Sequence, residues 1–116
     1  MNLKEITQAL QLSVKTGEDL LDRDVTGGYA SDMLSDVLAH ARKGNIWITL
    51  QTHANIVAVA STRELAGIII VNGRTPEAET LRKADLEKIP IMSSSLSTYS
   101  IVARLSELGI KGDERV

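Results

Sequence analysis

The 116-residue chain has no cysteine, no phenylalanine, two prolines and only 3% aromatic residues. Without cysteine there is no disulfide, no thiolate nucleophile and no Cys-ligated zinc. Without phenylalanine the core must be packed from Ile, Val, Leu, Ala and Met. So few aromatic platforms leave little for nucleic-acid bases to stack on. The formal net charge is −2 and no basic run is present, so the attraction to a phosphate backbone is missing as well. No nucleic-acid partner is expected. No apolar run approaches the roughly 20 residues that span a bilayer, and no membrane partner is expected. Met1-Asn2-Leu3-Lys4-Glu5 places charges where a signal peptide needs an apolar stretch. A cytoplasmic location is the expectation.

Several chemical fingerprints are also missing. There is no Gly-x-x-x-x-Gly-Lys-Ser/Thr, no Gly-x-Gly-x-x-Gly and no Gly-x-Ser-x-Gly. The two histidines, His40 and His53, are too far apart for a His-x-x-x-His pair. No metal site, cofactor or catalytic residue is expected, and the chain is not read as an enzyme.

What is present is a rhythm. Apolar runs at 46–50, 67–71 and 89–92 recur at short intervals, each followed by polar turn residues and a helix-like stretch. That pattern belongs to βα units in a parallel sheet, whose ligand sites lie at the carboxyl ends of the strands. The expected fold class is α/β with a mainly parallel central sheet.

The rest of the chain fills in around these runs. Asn2 caps a helix over 3–10 with Leu3, Ile6 and Leu10 on one face. The stretches 12–14 and 19–21 read as a small hairpin or two short strands. A second helix opens at Ser31 or Asp32 and runs to about Arg42, with Met33, Leu34, Val37, Leu38 and Ala41 inward and Gly44 as C-cap. Thr52 caps a helix over 53–64. Thr75 caps the next, with Pro76 at its first position. Pro90 marks an edge strand or a strand start. A final helix carries Ile101, Val102, Leu105 and Leu108 on one face and ends in a Schellman-type Gly109-Ile110. Residues 1–110 form a single domain, and 111–116 form a charged, frayed tail.

If four βα turns lie along one sheet edge, they gather a ligand-binding rim. Its expected residues are Gly27, Gly28 and Tyr29; Gln51, Thr52 and His53; Asn72, Gly73 and Arg74; and Ser94 and Ser95. Hydroxyls, amides, one guanidinium and free helix amides suit an anionic or polyhydroxyl ligand. Asp32 is the main carboxylate there, so paired acid–base catalysis is poorly supplied. Plainer readings stand beside these. Gly27-Gly28 serves positive φ or close helix packing. Thr52 and Thr75 are ordinary caps. Arg74 pairs with Glu77.

The segments Val25-Thr26-Gly27-Gly28-Tyr29-Ala30-Ser31-Asp32-Met33-Leu34-Ser35-Asp36-Val37, Gly44-Asn45-Ile46-Trp47-Ile48-Thr49-Leu50-Gln51-Thr52-His53 and Ala66-Gly67-Ile68-Ile69-Ile70-Val71-Asn72-Gly73-Arg74 together resemble stand-alone DRTGG-domain proteins. The resemblance covers about residues 14–110. It implies an α/β/α three-layer fold like the N-terminal domain of HPr kinase/phosphorylase. It also implies the company such domains keep: regulatory parts of phosphate acetyltransferases, and the region between CBS domains of some pyrophosphatases. In those settings the domain regulates or assembles, and catalysis belongs to other domains. The family's Asp-Arg element would fall near Thr52-His53 and its Thr-Gly-Gly element near Val71-Asn72-Gly73, where only Gly73 remains. The kinase's phosphate-binding loop lies in a different domain, so no kinase activity is implied.

Two functions follow as expectations. One is a non-catalytic regulatory or ligand-sensing homodimer that binds a nucleotide or phosphorylated metabolite at the rim. The other is an interaction or dimerisation domain that serves a protein partner and takes no small molecule.

Overall fold

The computed structural model describes residues 1–113. Isoleucine-rich runs at the centre of the sequence become strands β3 (Asn45–Thr49) and β4 (Gly67–Ile70), and every residue of both is buried. A strand with no solvated face needs a helical layer on each side. The remaining elements supply those layers: α1 (Leu3–Leu10), β1 (Ser13–Thr16), β2 (Gly27–Ala30), α2 (Leu34–His40), α3 (Asn55–Thr62), α4 (Ala78–Glu87), β5 (Ile91–Ser93) and α5 (Thr98–Glu107). The strand order is β1-β5-β4-β3-β2, with β1 antiparallel to β5 and the other pairs parallel.

The period-two alternation of the strands sorts the core into two halves. Ile46, Ile48, Ile69, Val71 and Met92 pack with Leu3, Ile6 and Leu10 of α1 and Ile101 and Leu105 of α5. Trp47, Ile68, Ile70 and Ile91 face Val37 of α2, Ile56, Val57 and Ala60 of α3, and Ala84 of α4. Trp47 is fully buried, and its indole N–H donates to the Ser31 carbonyl at 2.8 Å. The result is the α/β/α sandwich with a mainly parallel sheet. The first helix is capped at Asn2, whose side chain accepts from the Glu5 amide while Glu5 accepts from the Asn2 amide. The Schellman end also forms: Ile110 N–H donates to Leu105 and Gly109 N–H to Ser106, both at 3.0 Å.

Several local expectations need correction. Of residues 12–14, Ser13 and Val14 belong to β1, but its partner is β5; 18–20 is a 3₁₀ turn, so no hairpin exists. Gly27-Gly28-Tyr29-Ala30 is strand β2, not a βα turn. The second helix starts later than expected because the Asp32 carboxylate is drawn to the end of β3. It stops at His40 because Ala41 turns extended, its carbonyl held by Arg63 at 2.9 and 3.1 Å. Gly44 therefore caps no helix, and Met33 and Leu38 are exposed. Thr52 does not cap α3. Its carbonyl instead accepts from Thr80 Oγ1 at 2.7 Å and from the Glu77 amide at 3.2 Å. That tether keeps Thr75 and Pro76 outside α4, whose N-cap is Glu77. Pro90 precedes β5, an interior strand, so it marks a strand start and not an edge. Val102 points outward.

Of the expected tail, residues 114–116 lie outside the described residues, and Lys111 is not frayed. Its carbonyl accepts from Gly28 N–H at 2.8 Å on the outer edge of β2. This contact accounts for Gly27. The residue is not at positive φ, but a Cβ there would sit 2.8 Å from the Lys111 carbonyl oxygen. Gly27→Ala should push the 110–113 segment off β2, with a loss of about 1 kcal/mol for the broken hydrogen bond. Hydrogen exchange should show the Gly28 amide losing protection while the amides of β3 and β4 keep theirs. Unchanged protection at Gly28 would refute the close-approach explanation.

Candidate functional site

The parallel strands place their carboxyl ends on one side, and β1 enters from that side because it runs antiparallel. The loops gathered there are 31–33, 50–54, 71–77 and 94–97. Much of this rim is bound up in holding itself together. Asp32 Oδ1 accepts from Thr49 Oγ1 at 2.9 Å and from Leu50 N–H at 2.7 Å. Gln51 Nε2 donates to the Asp32 carbonyl at 2.9 Å. His53 Nδ1 lies 2.7 Å from Glu77 Oε2, so Glu77 is engaged with His53 and not with Arg74. Gln51, Thr52 and His53 thus tie the β3 rim to its neighbours.

The other half of the rim is different. Asn72 and Gly73 both take left-handed backbone, at φ 61° and 65°. The turn this makes is laced to the loop after β5: Asn72 N–H donates to Leu96 at 2.8 Å and Gly73 N–H to Ser94 at 2.9 Å. Those amides face protein, not ligand. The two loops together wall a cleft of about 420 Å³, closed on its far side by β1 and α5. Lys15 from β1, Arg74 from the β4–α4 loop and Arg104 from α5 line it, and no Asp, Glu or His does so. No ion pair among the described residues engages any of the three. Arg74 Nη1 donates to the Leu50 carbonyl at 3.3 Å, one of five donors the guanidinium owns. In a chain of net charge −2 this is a concentrated patch of positive charge, and low-dielectric walls focus such a field.

Of the expected site residues, the cleft gathers Gly73, Arg74, Ser94 and Ser95. Asn72 adjoins it through the backbone. Gln51, Thr52 and His53 do not line it. Gly27 and Gly28 lie at the opposite, amino end of the sheet, and Tyr29 stands mid-strand on the edge strand β2. All three line a second cleft of about 440 Å³ with His40, Arg42 and Lys43. Arg42 and Lys43 follow α2, and Lys43 pairs with Glu64 at 3.3 Å. Lys15 and Arg104 went unforeseen. Nothing in the local pattern says that β1 pairs with β5, and that pairing brings Lys15 to this edge.

At the amino-end cleft, the Tyr29 hydroxyl donates to Asp36 Oδ2 at 2.9 Å, and His40 Nδ1 lies 3.2 Å from Asp36 Oδ1. The Tyr29 hydrogen bond, followed by those of Ser31 and His40, holds the Asp36 carboxyl below the usual carboxylate range. A depressed folded pKa contributes stability above that range and loses it as pH falls through the folded value. Tyr29→Phe should raise the Asp36 pKa toward its ordinary value in an NMR titration. The stability gap between parent and variant should then narrow on acidification; a gap that widens would contradict the assignment.

No described helix is long and apolar enough to cross a membrane. No group of three or more His, Asp or Glu among the described residues is placed to hold a metal ion. A comparison with curated proteins gives no match. Among solved structures, the chain is similar to the CBS and DRTGG domains of the regulatory region of Clostridium perfringens pyrophosphatase, complexed with the activator diadenosine tetraphosphate. The identity is 13% and the TM-score 0.68, over 97% of this chain and 51% of that one. The likeness is one of fold, and the chain spans about half the length of that structure. The DRTGG-domain family matches residues 5–108, and with that match covering most of its length the chain belongs to the DRTGG-domain family.

Proposed function

We propose that the chain is a non-catalytic regulatory module that senses a phosphorylated small molecule or nucleotide at the carboxyl edge of its sheet. One observation carries this reading: three cations from three separate elements line one cleft that contains no carboxylate. Guanidinium groups match phosphate oxygens in a bidentate way, and lysine adds a point charge. The same lining argues against catalysis, since it offers neither a carboxylate nor an imidazole to move a proton. Two further facts support a regulatory role: membership of the DRTGG family, and a fold shared with the regulatory region of a pyrophosphatase that has a nucleotide activator bound. Arg74 supplies a readout. Exchanging the Leu50 carbonyl for a ligand oxygen would release the contact between the β3 and β4 rims.

A second reading has its own observation. Tyr99 is 78% exposed and Val102 41% exposed on the outer face of α5, a surface suited to a protein partner or a second copy. A thermal-shift panel of nucleotides, dinucleotide polyphosphates, acyl phosphates, phosphosugars and inorganic phosphate separates the two. A ligand at one hundred times its Kd stabilises by about 2.7 kcal/mol, roughly 10 °C for a domain of this size. The sensor reading expects a selective shift that Arg74→Ala abolishes without altering the circular dichroism of the fold. A flat panel would contradict the sensor and favour the interaction domain.

A further inference from the structure

The lining of the carboxyl-edge cleft also bears on the chemical class of its ligand. We propose that it takes a base-free, polyhydroxylated molecule with two phosphoryl groups, a sugar or polyol bisphosphate, in preference to a nucleotide. This rests on the reading of the cleft as an anion sensor.

The first argument is charge. A single phosphoryl group carries about −1.5 to −2 near neutral pH, too little to balance Lys15, Arg74 and Arg104 together. Those cations stand on β1, the β4–α4 loop and α5, so they surround the cleft instead of converging from one element. A ligand with phosphates at two ends engages all three.

The second argument is the missing platform. A base is bound by stacking on aromatic rings or by an apolar slot. The chain has three aromatic side chains in all, and none lines the cleft. Trp47 is sealed in the core. Tyr29 lies on β2, the edge strand farthest from β1, with its hydroxyl on Asp36. Tyr99 projects outward from α5. Leu10 and Leu96 are the cleft's only large apolar side chains.

The third argument is what fills the space instead. Ser13, Thr75, Ser93, Ser94 and Ser95 bring five hydroxyls, and Gln11 brings an amide. Each hydroxyl both donates and accepts. Ser94 Oγ accepts from Leu96 N–H at 3.1 Å and retains its own proton to give. Hydroxyls that share the cleft with three cations complement a polyol that carries phosphates. The volume, about 420 Å³, lies in the range of small-molecule sites.

Isothermal titration of the full chain with a hexose 1,6-bisphosphate, inorganic pyrophosphate and ADP at fixed ionic strength tests this. The bisphosphate should bind about tenfold tighter than either of the others, and Lys15→Ala and Arg104→Ala should each weaken it by about tenfold, the scale of a lost charged hydrogen bond. Both side chains are exposed, and circular dichroism verifies that each variant folds. ADP binding as tightly as the bisphosphate would overturn the inference and leave the sensor standing. Pyrophosphate binding as tightly would overturn the role of the hydroxyls. Variants that bind as the parent does would remove the bisphosphate from this cleft. Silence from all three anions would overturn the sensor reading as well.

Discussion

Strands β3 and β4 are buried along their whole length, so neither face of the sheet can meet water at its centre. Helices must cover both sides, and the crossover connections that place them there make the neighbouring strands parallel. Parallel strands align their carboxyl ends, and every βα loop then emerges on one edge. The existence of a rim and its position descend from two short isoleucine-rich runs. Even the buried polar groups follow: Thr49, at the end of β3, has no solvent, and Asp32 supplies its partner.

The rim divides by task. On the β2–β3 side, Asp32, Gln51, Thr52 and His53 are engaged with one another's loops and with α4. On the β4–β5 side, the backbone amides lace the two loops together while the side chains of Arg74, Ser94 and Ser95 remain directed to a shared cleft. Loops laced by backbone hydrogen bonds that carry polar side chains favour binding without large reorganisation. The amino edge has a cleft of similar size, yet Gly27 there is explained by the Lys111 backbone and Lys43 by its ion pair with Glu64.

The three-layer architecture was legible wherever burial and local chemistry agree. The apolar runs of β3 and β4, the Leu3-Ile6-Leu10 face and the Gly109-Ile110 end all form as their sequence pattern predicts. The family was legible too, as a pattern of segments and not through any one motif. Failures came where a distant partner outweighs local preference. Gly27-Gly28-Tyr29-Ala30 has a poor composition for a strand, and pairing with the buried β3 makes it one. Thr75-Pro76 has the composition of a helix start, and the tether of Glu77 and Thr80 to the Thr52 carbonyl moves that start. Half of the expected site is dispersed for the same reason, while Lys15 and Arg104 enter the cleft through contacts that no short window of sequence encodes.

The most direct measurement is residue-resolved. Backbone-amide NMR spectra of the full chain, recorded while inorganic pyrophosphate is added, report where an anion settles. A cleft built from the β4–α4 and β5–α5 loops predicts saturable shifts at Lys15, Gly73, Arg74, Ser94 and Ser95. Saturable shifts confined to Gly27, Gly28 and Tyr29, or no saturable shift anywhere, would contradict it.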